Sequence, residues 1–235
     1  MIEKIKNPHE RHIRIGRYLK DAVYAASDGI VATFAIVAAA VGGGLTPGVI
    51  LIIGVADMIA EAISMAAADY LGTRSERDFY KKEEAEEWEE VRLQPEDEKR
   101  EVRGILAAKG YAGQDLDEMT RLITANHAYW IRFMMQEELK LPTPEDESPL
   151  RSSAVTFLAF MVAGSIPLLP YVLFGVRASF LAAAASTGVA LFVVGVLRGY
   201  FSKTSWILLG MEMLAVGGFA AVVAYGVGAG IRLIV

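Results

Sequence analysis

Residues 48–101 read GVILIIGVADMIAEAISMAAADYLGTRSERDFYKKEEAEEWEEVRLQPEDEKRE. The first half, Val49 to Tyr70, is apolar enough to lie in a bilayer. It passes with no Pro or Gly cluster into a glutamate-rich run, Thr73 to Arg92. One unbroken helix over this run would be about 65 Å long, of which about 30 Å fits inside hydrocarbon. In the apolar half Asp57, Glu61 and Met65 stand at i, i+4 and i+8, one helical face, with Asp69 at the next turn. In the polar half Glu83, Glu86, Glu87 and Glu90 stand at i, i+3, i+4 and i+7, again one face. Acids in lipid joined to acids in water read as a route for a cation.

The rest of the chain fits this reading. Of 235 residues 54% are hydrophobic, and the charges are segregated rather than mixed. No charged residue stands between Asp28 and Asp57, between Arg151 and Arg177, or between Arg177 and Arg198. Uncharged runs of about 18 or more residues indicate membrane spans. Five are expected: Ala22–Gly43, Val49–Leu71, Ser153–Phe174, Ala178–Leu197 and Trp206–Gly230. The third carries Gly164-Ser165-Ile166-Pro167 and Pro170, so a kink is expected in it. In the fifth, Gly226 and Gly230 form a small-xxx-small pair. The expected fold is all-α: a segment 1–20, two membrane helices in 21–72, a water-soluble helical region 73–151, and three membrane helices in 152–235. Three or so helices are expected in the soluble region, with breaks at Leu93-Gln94-Pro95, at Gly110 and near Asn126. Pro142, Pro144 and Pro149 mark a linker back to the membrane. Lys4, Lys6, Arg11, Arg14, Arg17 and Lys20, with Arg198 and Lys203, put the N-terminus and the soluble region on the cytoplasmic side. Only Arg177 and Arg232 fall on the other side. No cleavable signal is evident, and the short, compact form points to a prokaryotic cytoplasmic membrane.

Composition excludes several chemistries. There is no cysteine, hence no disulfide, thiolate site or Cys nucleophile. Residues 73–151 hold 20 acids against 13 bases, which argues against nucleic acid as partner. There is no phosphate-binding Gly loop and no credible Ser/His/Asp set. What remains is oxygen and thioether ligands. Asp28, Asp57 and Glu61 lie in apolar runs, where a charge costs about 2.5–3.5 kcal/mol at a helix centre. Low dielectric favours the neutral form of a carboxylate, so a group of this kind can hold a proton when empty and release it to a metal. Met65 adds a soft ligand that protons cannot occupy. In the soluble region Glu98 and Glu101 would meet the Glu83–Glu90 stripe if the chain folds back at Pro95, and Met134, Met135, Glu137 and Glu138 supply further faces. His127 reads as a surface residue, and Glu212 as either a pathway acid or one near the interface.

Three motifs taken together carry a resemblance. Ser27-Asp28-Gly29-Ile30, then Ala62-Ile63-Ser64-Met65 with Tyr70-Leu71, then Gly164-Ser165-Ile166-Pro167-Leu168-Leu169-Pro170-Tyr171 resemble the vacuolar iron transporter family, from about residue 16 to 230. The resemblance implies five membrane helices, a homodimer with the ion path between the two first helices, and a cytoplasmic three-helix metal-binding domain. It implies proton-driven export of Fe²⁺, often Mn²⁺ too, with no prosthetic group. It places the pathway on Asp28, Asp57 and Met65, and the soluble ligands on Glu87, Glu90, Glu98, Glu101 and Glu138 with Met134 or Met135. Glu61 is a departure: plant members have a small residue there, and their glutamate replaces the shorter Asp57. The expectation is a dimeric metal/proton antiporter rather than an enzyme. The rivals are a membrane-anchored metal buffer and a passive divalent channel.

Overall fold

A computed structural model describes residues 8–142, 148–173, 179–199 and 204–234, with backbone only for 8–17. Pro144, Arg177 and Lys203, the ends of the third and fourth spans at Phe174 and Ala178, and the basic side chains from Lys4 to Arg17 lie outside the described residues or side chains. Every described regular element is an α-helix, and there is no strand among the described residues. The helices are α1 (Pro8–Gly42), α2 (Pro47–Leu93), α3 (Pro95–Ala108), α4 (Gly113–Thr124), α5 (His127–Glu137), α6 (Pro149–Gly164), α7 (Leu169–Leu173), α8 (Ser179–Arg198) and α9 (Trp206–Arg232). Two compact units result, residues 1–70 with 149–235, and residues 71–148; α2 contributes to both.

In the first unit α1 packs against α6, α8 and α9, and α8 against α9. Among the described residues four helices are long and apolar enough to cross a membrane: Tyr18–Gly42 of α1, α2, α8 and α9. In hydrocarbon only a helix pairs its own backbone polar groups, which is why these apolar runs are unbroken. The third expected span differs. Its helix α6 stops after 16 residues, about 24 Å, at Gly164. A turn follows, with Ile166 N–H donating to the Ala163 carbonyl (3.1 Å) and Leu168 N–H to Ser165 (3.0 Å), before the short α7. Pro167 has no N–H to continue the ladder, and its ring clashes with a helical predecessor, so the expected kink is a full interruption.

The α1–α2 turn closes on Gly44, at φ +74°, with Leu45 N–H donating to the Ala40 carbonyl at 2.9 Å. This is the six-to-one bond of a helix stop, and Pro47 then opens α2. Helix contacts in this unit rest on missing side chains. A Cβ on Gly29 would lie 2.7 Å from the Phe160 carbonyl, and one on Gly164 would lie 3.1 Å from the Gly29 carbonyl. Two of the three motifs in the sequence therefore pack directly on each other. On α9 the close approach is at Gly228, where a Cβ would run into the Ala39 carbonyl, and not at Gly226 or Gly230, which have nothing within 4 Å. The expected small-xxx-small pair is thus displaced by half a turn within this chain.

The second unit packs the 71–93 part of α2 with α3, α4 and α5 around Tyr80, Val102, Leu106, Trp130, Ile131, Met134 and Met135. Pro95 starts α3, with Glu96, Asp97 and Glu98 in its first turn where the helix dipole favours acids. Gly110 at φ +99° follows its end. Asn126 accepts from Tyr129 N–H (3.2 Å) and caps α5, which divides the helical sequence from Leu116 to Leu139 in two. Ion pairs Lys109–Glu137 (2.6 Å) and Arg103–Asp117 tie the helices together at the surface.

Gly29→Leu should overpack the α1–α6 contact by about 1–3 kcal/mol or more and broaden the detergent size-exclusion peak. Gly226→Leu, at an open position, should leave that profile unchanged.

Candidate metal centre

The reversal at Gln94 decides what meets what in the second unit. Counting away from it along both helices, Glu90 stands four residues before and Glu98 four after, Glu87 seven before and Glu101 seven after. One ligand oxygen from each of Glu87, Glu90 and Glu98 lies within 4.8 Å of the other two. Oxygens facing each other across a cation at ~2.1–2.4 Å would be about 4.2–4.8 Å apart, so three carboxylates can close on one ion without rebuilding the backbone. Glu138, the residue after α5, completes a group of five with Glu101.

The electrostatics are one-sided. Glu87 and Glu98 are 3% and 6% exposed. One oxygen of each is buried with no hydrogen-bond partner. Among the described residues none of the five carboxylates forms an ion pair. Burial, then the charges of Glu138, Glu98, Glu90 and Glu101, pushes Glu87 up to about 8. Burial, then Glu101, Glu90, Glu138 and Asp97, pushes Glu98 up to about 7. Glu138 is raised by burial first and by the charge of Glu101 next, with a hydrogen bond to Glu101 adding to it. Such a group must take up either protons or a cation.

The other expected ligands are placed differently. Glu83 and Glu86 pair with Lys82, at 3.3 and 3.0 Å, so part of the stripe is neutralised on its own helix. Met134 and Met135 are fully buried in the hydrophobic cluster. His127 is exposed and its ring stacks on Trp130 at 6.1 Å.

In the first unit Asp57 and then Asp28 are the charged neighbours of Glu61, so the acids of α1 and α2 share one region. Asp28 and Glu61 are exposed in the single chain, while Asp57 and Met65 are half-buried. Met65 packs on the core of Phe34, Met58, Ala62 and Phe160. None of these three acids is in an ion pair among the described residues. The i+4 series goes on to Asp69, one of whose oxygens is buried with no hydrogen-bond partner. That series was visible in the sequence and is the one signal that marks Asp69. Glu212 is not with this group: it faces Arg198 of α8 at 3.9 Å, and Arg198 also donates to the Met213 sulfur at 3.5 Å. The α8–α9 register that makes this pair is not written in either helix alone.

The sign of the pH dependence follows from the second unit. The folded state holds protons on Glu87 and Glu98 that the unfolded chain releases above its ordinary value of 4.5. Stability is therefore greatest below that value and falls as pH rises through about 7 and 8. Metal-free protein carrying Trp88→Phe and Trp206→Phe, followed through Trp130 emission, should melt lower at about pH 9 than at about pH 5. Glu87→Gln should flatten the upper part of that curve.

Comparison with known proteins agrees with these features. The chain matches the VIT family over residues 19–229. It is 32% identical over 217 residues to vacuolar iron transporter 1 of Arabidopsis thaliana, covering 92% of this chain and 87% of that protein. The vacuolar iron transporter of Toxoplasma gondii is 36% identical over 229 residues, 93% of this chain and 76% of that protein. That of Plasmodium berghei is 31% identical over 245 residues, 95% and 89%. The chain belongs to the VIT family.

Proposed function

We propose that this protein is a secondary transporter that moves Fe²⁺, and Mn²⁺ as well, out of the cytosol in exchange for protons. The observation that carries the reading is the grouping of Asp28, Asp57 and Glu61, charged neighbours without a basic partner, on helices otherwise fit for hydrocarbon. Acids so placed mark ion and proton pathways. The relatives, named as vacuolar iron transporters, support metal as the cargo.

In this reading the glutamates of residues 71–148 gather metal on the cytosolic side. Glu87, Glu90 and Glu98 bind it first, with Glu101 and Glu138 beside them, and protons leave as it binds. Asp57, Glu61 and Asp28 then carry it across, and Met65 favours a borderline cation over Mg²⁺ or Ca²⁺. Protons moving down their gradient return those carboxylates to the neutral form. The fifth crossing is made by α6, its turn and α7 together. The N-terminus and the 71–148 unit are cytoplasmic, as the bases Lys20, Arg151 and Arg198 favour.

Exposure supports a homodimer. Asp28 and Glu61 are open in a single chain, and a charge facing lipid costs about 2.5–3.5 kcal/mol. A second copy laid over this face turns that exposed surface into an enclosed path.

Proteoliposomes with an internal pH dye test the proposal. Added Mn²⁺ or Fe²⁺ should move proton and metal in opposite directions. Asp28→Ala and Met65→Ala should reduce both fluxes to the level of protein-free liposomes. Glu87→Ala with Glu90→Ala should weaken capture and leave residual flux. Metal flux without proton flux would establish a channel, and metal binding without flux a buffer.

A further inference from the structure

At the end of the first unit where α1 and α9 finish and α2 begins there is a cavity of about 470 Å³. Ile36 and Ala39 of α1, Leu45 of the turn, Ile53 of α2 and Ile231 of α9 give it apolar walls, and Arg232 stands among them. None of the carboxylates described above lines it. The Arg232 guanidinium lies across the α1–α2 turn: a Cβ on Gly44 would be 3.1 Å from its Cζ and Nη1. Arg232 has no ion pair or hydrogen bond among the described residues.

The segments around it carry no acidic side chain. No Asp or Glu occurs between Asp28 and Asp57, between Glu147 and Glu212, or after Glu212. Along its helix Arg232 is 20 residues from Glu212, about 30 Å. A second copy related by a two-fold axis through this groove would bring the same acid-free segments, so it offers apolar surface but no acidic side chain. What fits both halves of the site is a molecule with a long apolar tail and an anionic head. We propose that this groove holds one anionic glycerophospholipid, an acyl chain along the Ile36–Ile53–Ile231 walls and the phosphate on Arg232.

Arginine suits the task. Its fixed fork of donors meets two phosphate oxygens at once, and it stays charged at the membrane surface. A cation at the end of α9 also suits the helix dipole, so the test must separate lipid binding from simple stabilisation of the helix.

Full-length protein in a neutral detergent is titrated with phosphatidylglycerol, phosphatidylcholine, diacylglycerol and inorganic phosphate, reading bound lipid by native mass spectrometry and the shift in Tm. Phosphatidylglycerol should bind and raise Tm more than phosphatidylcholine, while diacylglycerol and phosphate leave Tm unchanged. Arg232→Gln should weaken phosphatidylglycerol binding about tenfold, the size of one charge-assisted contact. Arg232→Lys should retain part of it. Ile53→Trp, which fills the groove and leaves the arginine in place, should abolish it. Unchanged phosphatidylglycerol affinity in Arg232→Gln and Ile53→Trp would overturn the proposal, and so would equal binding of phosphatidylcholine. A shift produced by phosphate alone would reduce the site to an anion contact. If Ile53→Trp changes the oligomeric state and not the lipid affinity, the groove belongs to a second copy.

Discussion

Carboxylate repulsion without a neighbouring base is the condition on which this structure turns. It occurs in both units. Glu87, Glu90, Glu98, Glu101 and Glu138 crowd one end of a helical cluster, and Asp28, Asp57 and Glu61 crowd a region of two apolar helices. The chain has bases to spare nearby and spends them elsewhere: Lys82 on Glu83 and Glu86, Lys109 and Lys140 on Glu137, Arg198 on Glu212. Like charges left together in low dielectric are stable only when protonated or bound to a cation. Protons held by the empty group and given up to a metal are what the proposed exchange requires.

The framework that holds these groups relies on close backbone approach in the first unit and on ordinary apolar packing in the second. Lipid gives helices no hydrophobic reason to associate, so small residues at crossings supply van der Waals contact instead. Gly29 and Gly164 bring α1 and α6 together beside Asp28, which fixes the acid-bearing turn of α1. In water the burial of Trp130, Leu106, Met134 and Met135 does the corresponding work, and it sets α3 and the end of α5 at the distance where their glutamates meet those of α2. Of these packing residues Gly29 stands next in sequence to a charged one, Asp28.

Much of this was legible from periodicity and punctuation. Hydropathy located α8, α9, the end of α1 and the start of α2 to within a few residues, though α1 begins at Pro8, well before the expected Ala22, and Pro95, Gly110 and Asn126 marked the breaks between the soluble helices. Helical spacing also named the carboxylates that the hairpin at Gln94 brings together. It could not say which part of the stripe would face the partner helix, because spacing fixes a face and not its neighbour; so Glu83 and Glu86 stand with Lys82 rather than with Glu98. Register between helices was equally hidden. That is why the glycine of α9 that meets the α1 backbone is Gly228, and why the pairing of Glu212 with Arg198 emerged only from the fold. The extent of the break after Gly164 depended on Pro167 ending a ladder that Pro170 alone would have bent.

The central claim is that these carboxylates trade protons for metal. Calorimetry of Mn²⁺ binding to the full-length protein at about pH 7, repeated in buffers of different ionisation enthalpy, counts the protons released per ion bound. The account predicts net proton release that shrinks when Glu87 is replaced by Gln. Binding of Mn²⁺ with no proton released would contradict it.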